Sequence, residues 1–144
     1  MTRLDREALG ALLNELLEAE RAGARVLLEF LEDYPRRSPS WDALREVQQD
    51  EAHNCVLLGQ LLARCGVEPS GATGEFLRKA LAVQGRRERL EYLNRGQAWV
   101  ARKIDAALPG IEDAETARVL AEMRDSHRRN VVACAALAQL LNGG

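Results

Sequence analysis

The chain has 144 residues, enough for one domain with a buried core and short of two comfortable ones. Aromatic residues make up only 4% while Ala, Leu, Glu and Arg dominate, which favours helix over sheet; the formal net charge of −2 gives no general attraction to nucleic acid or to an anionic membrane. The three cysteines, Cys55, Cys65 and Cys134, lack C-x-x-C spacing, which argues against a disulfide framework and a zinc–thiolate site and leaves them as packing residues.

Taken in chain order, the apolar periodicity predicts a first helix from about Asp5 to Asp33, with Leu9, Leu13, Leu16, Leu27 and Leu31 on one stripe. Tyr34 and Pro35 end it, and Ser38 with Pro39 reads as the N-cap and first residue of the next helix. A turn this tight makes the second helix antiparallel. It is expected from about Ser40 to Arg64, with Leu44, Val47, Leu58, Leu61 and Cys65 inward and Gly66 as its C-terminal cap. The Gly-, Pro-, Ser- and Thr-rich stretch from Val67 to Gly74, followed by a short helical pattern from Glu75 to Val83, reads as a crossover connection. A third long helix is expected from about Arg86 to Leu108, stopped by Pro109-Gly110. Asp113 then caps a fourth, which carries Leu120, Met123, Val131, Cys134, Ala138 and Leu141 inward.

The two halves repeat. The two histidines, His53 and His127, are related by 127 − 53 = 74, the same offset that relates Pro35 to Pro109, Leu16 to Leu90 and Val26 to Val100. The expected architecture is therefore all-α: an antiparallel four-helix bundle of two helical hairpins with a short helix in the crossover, forming a single domain over residues 1–144.

Polar residues interrupt each apolar stripe near mid-helix, and antiparallel packing should gather them into one layer. The first helix contributes Glu20, and an ionised carboxylate inside a bundle is costly unless a cation or several donors satisfy it. On the second helix two registers compete. The repeat superposes His53 on His127 and favours Asp50-x-x-His53 inside, whereas the helical wheel favours Glu51 and Asn54. The third helix contributes Gln97 with Asn94 beside it, and the fourth contributes His127 flanked by Arg124 and Asn130. A di-metal carboxylate bundle needs one Glu from each of two helices and a Glu-x-x-His from each of the other two. At the shared offset Glu20 corresponds to Asn94 and Asp50 to Arg124, so two carboxylates are missing and a permanent cation stands in for one. Arg124 is expected to neutralise Glu20, Asp50 or Glu51 by ion pairing.

The segments LNELLEAERAGARVLLE, QQDEAHN, LNRGQAWVARKI and SHRRN resemble a small bacterial ferritin-like domain family of unestablished function within the ferritin-like superfamily. The resemblance implies a ferritin-like fold. It also implies a first metal site at Glu20, Asp50 and His53, with His127 as a remnant of the second.

Three function classes follow. One is a metal protein holding a single Fe or Mn ion through Glu20, Asp50 or Glu51, and His53 or His127. Another is a non-catalytic dimerisation or interaction bundle whose waist is an Arg/Glu/His hydrogen-bond network. The third is a small-molecule binder using the same waist as its pocket. Trp41 and Trp99, placed off the core stripe, suggest a homodimer interface. No secretory leader and no run of about 18 apolar residues is legible, so a cytoplasmic protein with no membrane and no nucleic-acid partner is expected. Whether it is an enzyme stays open, since no nucleophile–base pair or phosphate-cradling loop accompanies the waist.

Overall fold

The computed structural model describes residues 3–141, and among these it contains five α-helices and no strand. They are α1 (Arg6–Phe30), α2 (Pro39–Cys65), α3 (Phe76–Leu81), α4 (Arg86–Ala107) and α5 (Ala114–Leu140), with 3-10 turns at Leu31–Asp33 and Leu108–Gly110. Three long helices begin at side-chain caps. Asp5 accepts from the Ala8 amide, Ser38 from that of Trp41 and Asp113 from that of Thr116, each such cap stabilising its helix by about 1 kcal/mol. Gly66 closes α2 in the left-handed conformation at φ 70°.

Contacts between helix ends fix the helix directions. Arg6, at the start of α1, donates to the Cys65 and Gly66 carbonyls at the end of α2, so the first hairpin is antiparallel. In the second, Arg124 and Arg128 of α5 reach Asp105 near the end of α4, while Asn94 donates to the Val131 carbonyl. Between hairpins, Arg89 pairs with Asp33, Lys103 with Glu15 and Arg64 with Asp113, which makes α1 antiparallel to α4 and α2 antiparallel to α5. The packing of the four long helices is consistent with a bundle. Because α2 and α4 run the same way, residues 66–85 must return along its length, and α3 on this connector packs against α1 and α4.

Two apolar clusters fill the interior. One contains Leu13, Leu16, Leu58, Leu62, Ile104, Leu120 and Met123, and the other Val26, Leu27, Phe30, Leu44, Leu90, Leu93 and Cys134. On every long helix the sequence passes from one cluster to the other through a buried polar residue: Glu20 on α1, Glu51 and Asn54 on α2, Gln97 on α4, His127 on α5. The waist is thus a polar layer between two dry ones.

The repeat is real but has two offsets. Buried Leu16, Gly23, Val26 and Phe30 of α1 recur 74 positions on as buried or half-buried Leu90, Gln97, Val100 and Ile104 of α4. Buried Leu44, Val47, Glu51, Leu58 and Leu62 of α2 recur instead at 127 − 51 = 76, as Leu120, Met123, His127, Cys134 and Ala138 of α5. The structural counterpart of His127 is therefore Glu51, not His53. None of the described helices is long and apolar enough to cross a membrane.

Candidate metal centre

Glu20 lies on the inward face of α1 and is 1% exposed. One turn on, at the i+3 position of the same face, stands Gly23. A Cβ at 23 would sit 2.7 Å from Glu51 Cδ and overlap one of its carboxylate oxygens. Only glycine lets the Glu51 carboxylate lie against the α1 backbone, and a mid-helix glycine costs about 1 kcal/mol relative to alanine. That cost is spent at one point, beside a second acid.

Across the bundle diagonal, His127 Nε2 is hydrogen-bonded to Glu20 Oε1. One ligand atom from each of Glu20, Glu51 and His127 lies within 4.8 Å of the others, and all three residues are buried. Their polar atoms are not all satisfied: Glu20 Oε2, Glu51 Oε2, His127 Nδ1, Asn54 Nδ2 and Gln97 Oε1 are buried without a hydrogen-bond partner. Each such atom costs about 1–3 kcal/mol, more for charged groups. Burial, reinforced by the charges of Glu20 and then Asp50, holds the Glu51 carboxyl well above the usual carboxylate range. The protonated form of Glu51 is thereby favoured, and a cation seated beside it would favour the ionised form instead.

Two carboxylates and one imidazole are a donor set suited to iron(II), manganese(II) or zinc. A divalent ion would engage the oxygens that now lack partners and replace the proton on Glu51. Three protein ligands also leave coordination positions open. In one respect the set departs from common practice, because a ligating histidine usually hydrogen-bonds through its other ring nitrogen and His127 has no partner for Nδ1.

The other anticipated residues lie elsewhere. Asp50 is half-buried on the α5-facing flank of α2, where it accepts from Asn130 at 3.2 Å and Ser126 at 3.4 Å. His53 is exposed. The register on α2 is thus the one that buries Glu51 and Asn54. Arg124, expected to neutralise the waist acids, instead pairs with Asp105 at 2.8 Å and with Asp125. Its long stem carries the guanidinium out to those surface carboxylates, where it stays hydrated. Asn94 and Gln97 are engaged within the second hairpin: Asn94 donates to Val131, and Gln97 donates to Asn94 and to the Cys134 sulfur. Burial pushes the Cys55 and Cys134 thiols up to about 11 and about 12, so both stay protonated and serve packing.

A cleft of about 610 Å³ opens onto the acids from the side of α1, α4 and the connector. Its inner wall includes Glu20, Glu51, Gly23 and Gln97, and its outer part includes Phe76, Tyr92 and Trp99. The connector is fastened to α1 by Asn14, Glu18 and Arg21, which bond to Glu68, Ser70 and Ala72. Gly96 serves the cleft as Gly23 serves the site, since a Cβ there would meet the Phe76 ring at 2.9 Å. Sequence reading named the waist as one possible pocket but missed the connector's part in it, although glycines inside two long helices were the available sign of close approach. Trp99 stands on this cleft with Lys103 stacked on it, and Trp41 is stacked by Arg36 and Arg37.

Among known proteins, a family model described as a domain of unknown function (DUF6306) matches residues 6–137. Comparison with curated proteins and with solved structures finds no match.

Proposed function

The chain belongs to the DUF6306 family, whose function is unknown, and from its polar waist we propose that it is a ferritin-like bundle that holds one divalent ion, iron or manganese, through Glu20, Glu51 and His127. The observation that carries this reading is the pair of buried carboxylates seated together by Gly23, each with an unpaired oxygen, beside an imidazole. Burying two acids at one point is unfavourable unless a cation joins them. Asp50 and His53 have no part in the proposed site.

A second reading has one observation in its favour. The Glu20–His127 hydrogen bond already ties diagonal helices together, and a polar network of that kind can fix helix register without any ligand. The two readings separate on titration of the metal-free protein with Mn(II), and with Fe(II) under anaerobic conditions. The metal reading predicts saturable binding of one ion per chain, abolished in Glu20→Ala. A folded wild-type protein that takes up neither ion leaves the register-fixing network as the function of the waist.

A further inference from the structure

Three of the residues that line the inner end of the cleft carry a buried side-chain oxygen without a partner: Glu20 Oε2, Glu51 Oε2 and Gln97 Oε1. All are acceptors. The Gln97 assignment follows from its own bonds, since its Nε2 is spent on Asn94 Oδ1 and Cys134 Sγ and only the carbonyl oxygen remains. The residues carrying them are 1%, 4% and 2% exposed. What this end of the cleft lacks is therefore a group with several donors and no acceptor. Outward from it the wall turns apolar, with Ala19, Leu93, Val100, Phe76, Tyr92 and Trp99. Phe76 and Tyr92 are locked edge to face at 5.3 Å. On the outer rim Glu15 is paired with Lys103 and Glu75 with Arg78, which leaves Glu18 and Lys79 as the other charged lining residues there, so the acids at the inner end are the main charges of the cleft.

We propose that this cleft binds a primary amine with a short aromatic or branched apolar tail, its ammonium group received by Glu20, Glu51 and Gln97 and its tail lying among Phe76, Tyr92 and Trp99. A primary ammonium has three N–H donors and no acceptor, matching the three oxygens in number and in kind. Charge-assisted bonds to a carboxylate in a desolvated site are among the stronger ones available to it, and the aromatic walls suit an apolar tail. The volume lies within the ordinary range for small-molecule sites, about 300–1,000 Å³. A metal ion and an ammonium would claim the same two carboxylates, so the two ligands exclude one another. The amine proposal stands on the cleft and its unpaired acceptors, whether or not the metal reading holds.

Calorimetric titration of the chelator-treated protein with 2-phenylethylamine, and with 2-phenylethanol as its neutral counterpart, tests this directly. The expected result is saturable 1:1 binding of the amine, at least tenfold tighter than the alcohol and at least tenfold weakened in Glu20→Gln. A second variant, Ala19→Leu, leaves every charge in place and narrows the apolar wall, and it is expected to weaken the amine as well. Equal affinity for amine and alcohol, or no amine binding by the folded wild-type protein, overturns the proposal without needing either variant. Separate Mn(II) titration keeps the two ideas apart. Amine bound with Mn(II) refused removes the metal reading alone, and Mn(II) bound with the amine refused removes this inference alone.

Discussion

The two hairpins are built to one plan and equipped differently. In α1–α2 the waist positions are Glu20, Gly23 and Glu51; in α4–α5 their counterparts are Asn94, Gln97 and His127. The first hairpin places two acids together and empties the space between them. The second fills the equivalent space with an amide, where Asn94 donates to Val131 and Gln97 donates to Asn94 and Cys134. Duplication thus supplies a symmetric frame, and divergence leaves one acidic half and one neutral half. The unbalanced charge sits in the first hairpin, with only the His127 imidazole reaching across to it.

The harshest way to break this arrangement is to remove the one group that crosses. His127→Ala leaves Glu20 buried without its remaining partner and opens a void, and breaking a buried pair of this kind typically costs about 3–5 kcal/mol. Chemical denaturation should show a loss of that order, and Glu20→Gln in the same chain should restore part of it. A loss below about 1 kcal/mol would mean that the diagonal contact does not hold the hairpins together.

Gly23→Ala attacks the empty space instead. Alanine improves helix propensity by about 1 kcal/mol, yet its Cβ occupies the Glu51 carboxylate's seat. Mn(II) affinity should fall at least tenfold while the helical circular-dichroism signal is kept, and unchanged affinity would show that Glu51 does not need that seat.

Glu51→Gln sharpens the comparison through pH. The folded-state pKa of Glu51 is raised, by burial first and then by Glu20, so the folded chain holds this proton more tightly than the unfolded one. Its stabilising contribution is full below the unfolded pKa and is lost as pH rises through the folded one. The metal-free wild-type protein should lose stability with rising pH above the ordinary carboxylate range. Glu51→Gln should show a shallower decline and a higher melting temperature on the alkaline side. Parallel curves for the two proteins would place the ionisation of Glu51 elsewhere.

The smallest effect is expected at the residue that first suggested the repeat. His53 is exposed, and His53→Ala should change stability by no more than about 0.5 kcal/mol and leave Mn(II) binding untouched. A lost metal site in this variant would return His53 to the centre.

Much of the frame was legible in the sequence because it depends on local physics. Ser38-Pro39, Gly66, Pro109-Gly110 and Asp113 mark helix ends through backbone geometry that acts within a few residues. The inward stripe of α2 was legible too, since a helical wheel sees only its own helix and placed Glu51 and Asn54 inside. The pairing of His53 with His127 misled, because a single offset assumes equal loops. The observed offsets of 74 for α1/α4 and 76 for α2/α5 differ by more than half a helical turn. Arg124 misled for a different reason: a long side chain on a stripe's flank can carry its charge outward to Asp105 and Asp125. The cleft lies between α1, α4 and a connector whose path is fixed by Asn14, Glu18 and Arg21, contacts separated by some fifty residues in sequence. No local pattern encodes such a meeting, although Gly23 and Gly96 marked both of its close approaches.

The central claim is that one acidic hairpin and one neutral hairpin make a single cation site. Its most direct test is the stoichiometry of tightly bound metal after reconstitution with Mn(II), measured by elemental analysis on wild-type protein and on Glu51→Gln. The account predicts one ion per chain in the wild type and none in the variant. Two ions per chain, none in the wild type, or one retained without the Glu51 carboxylate would contradict it.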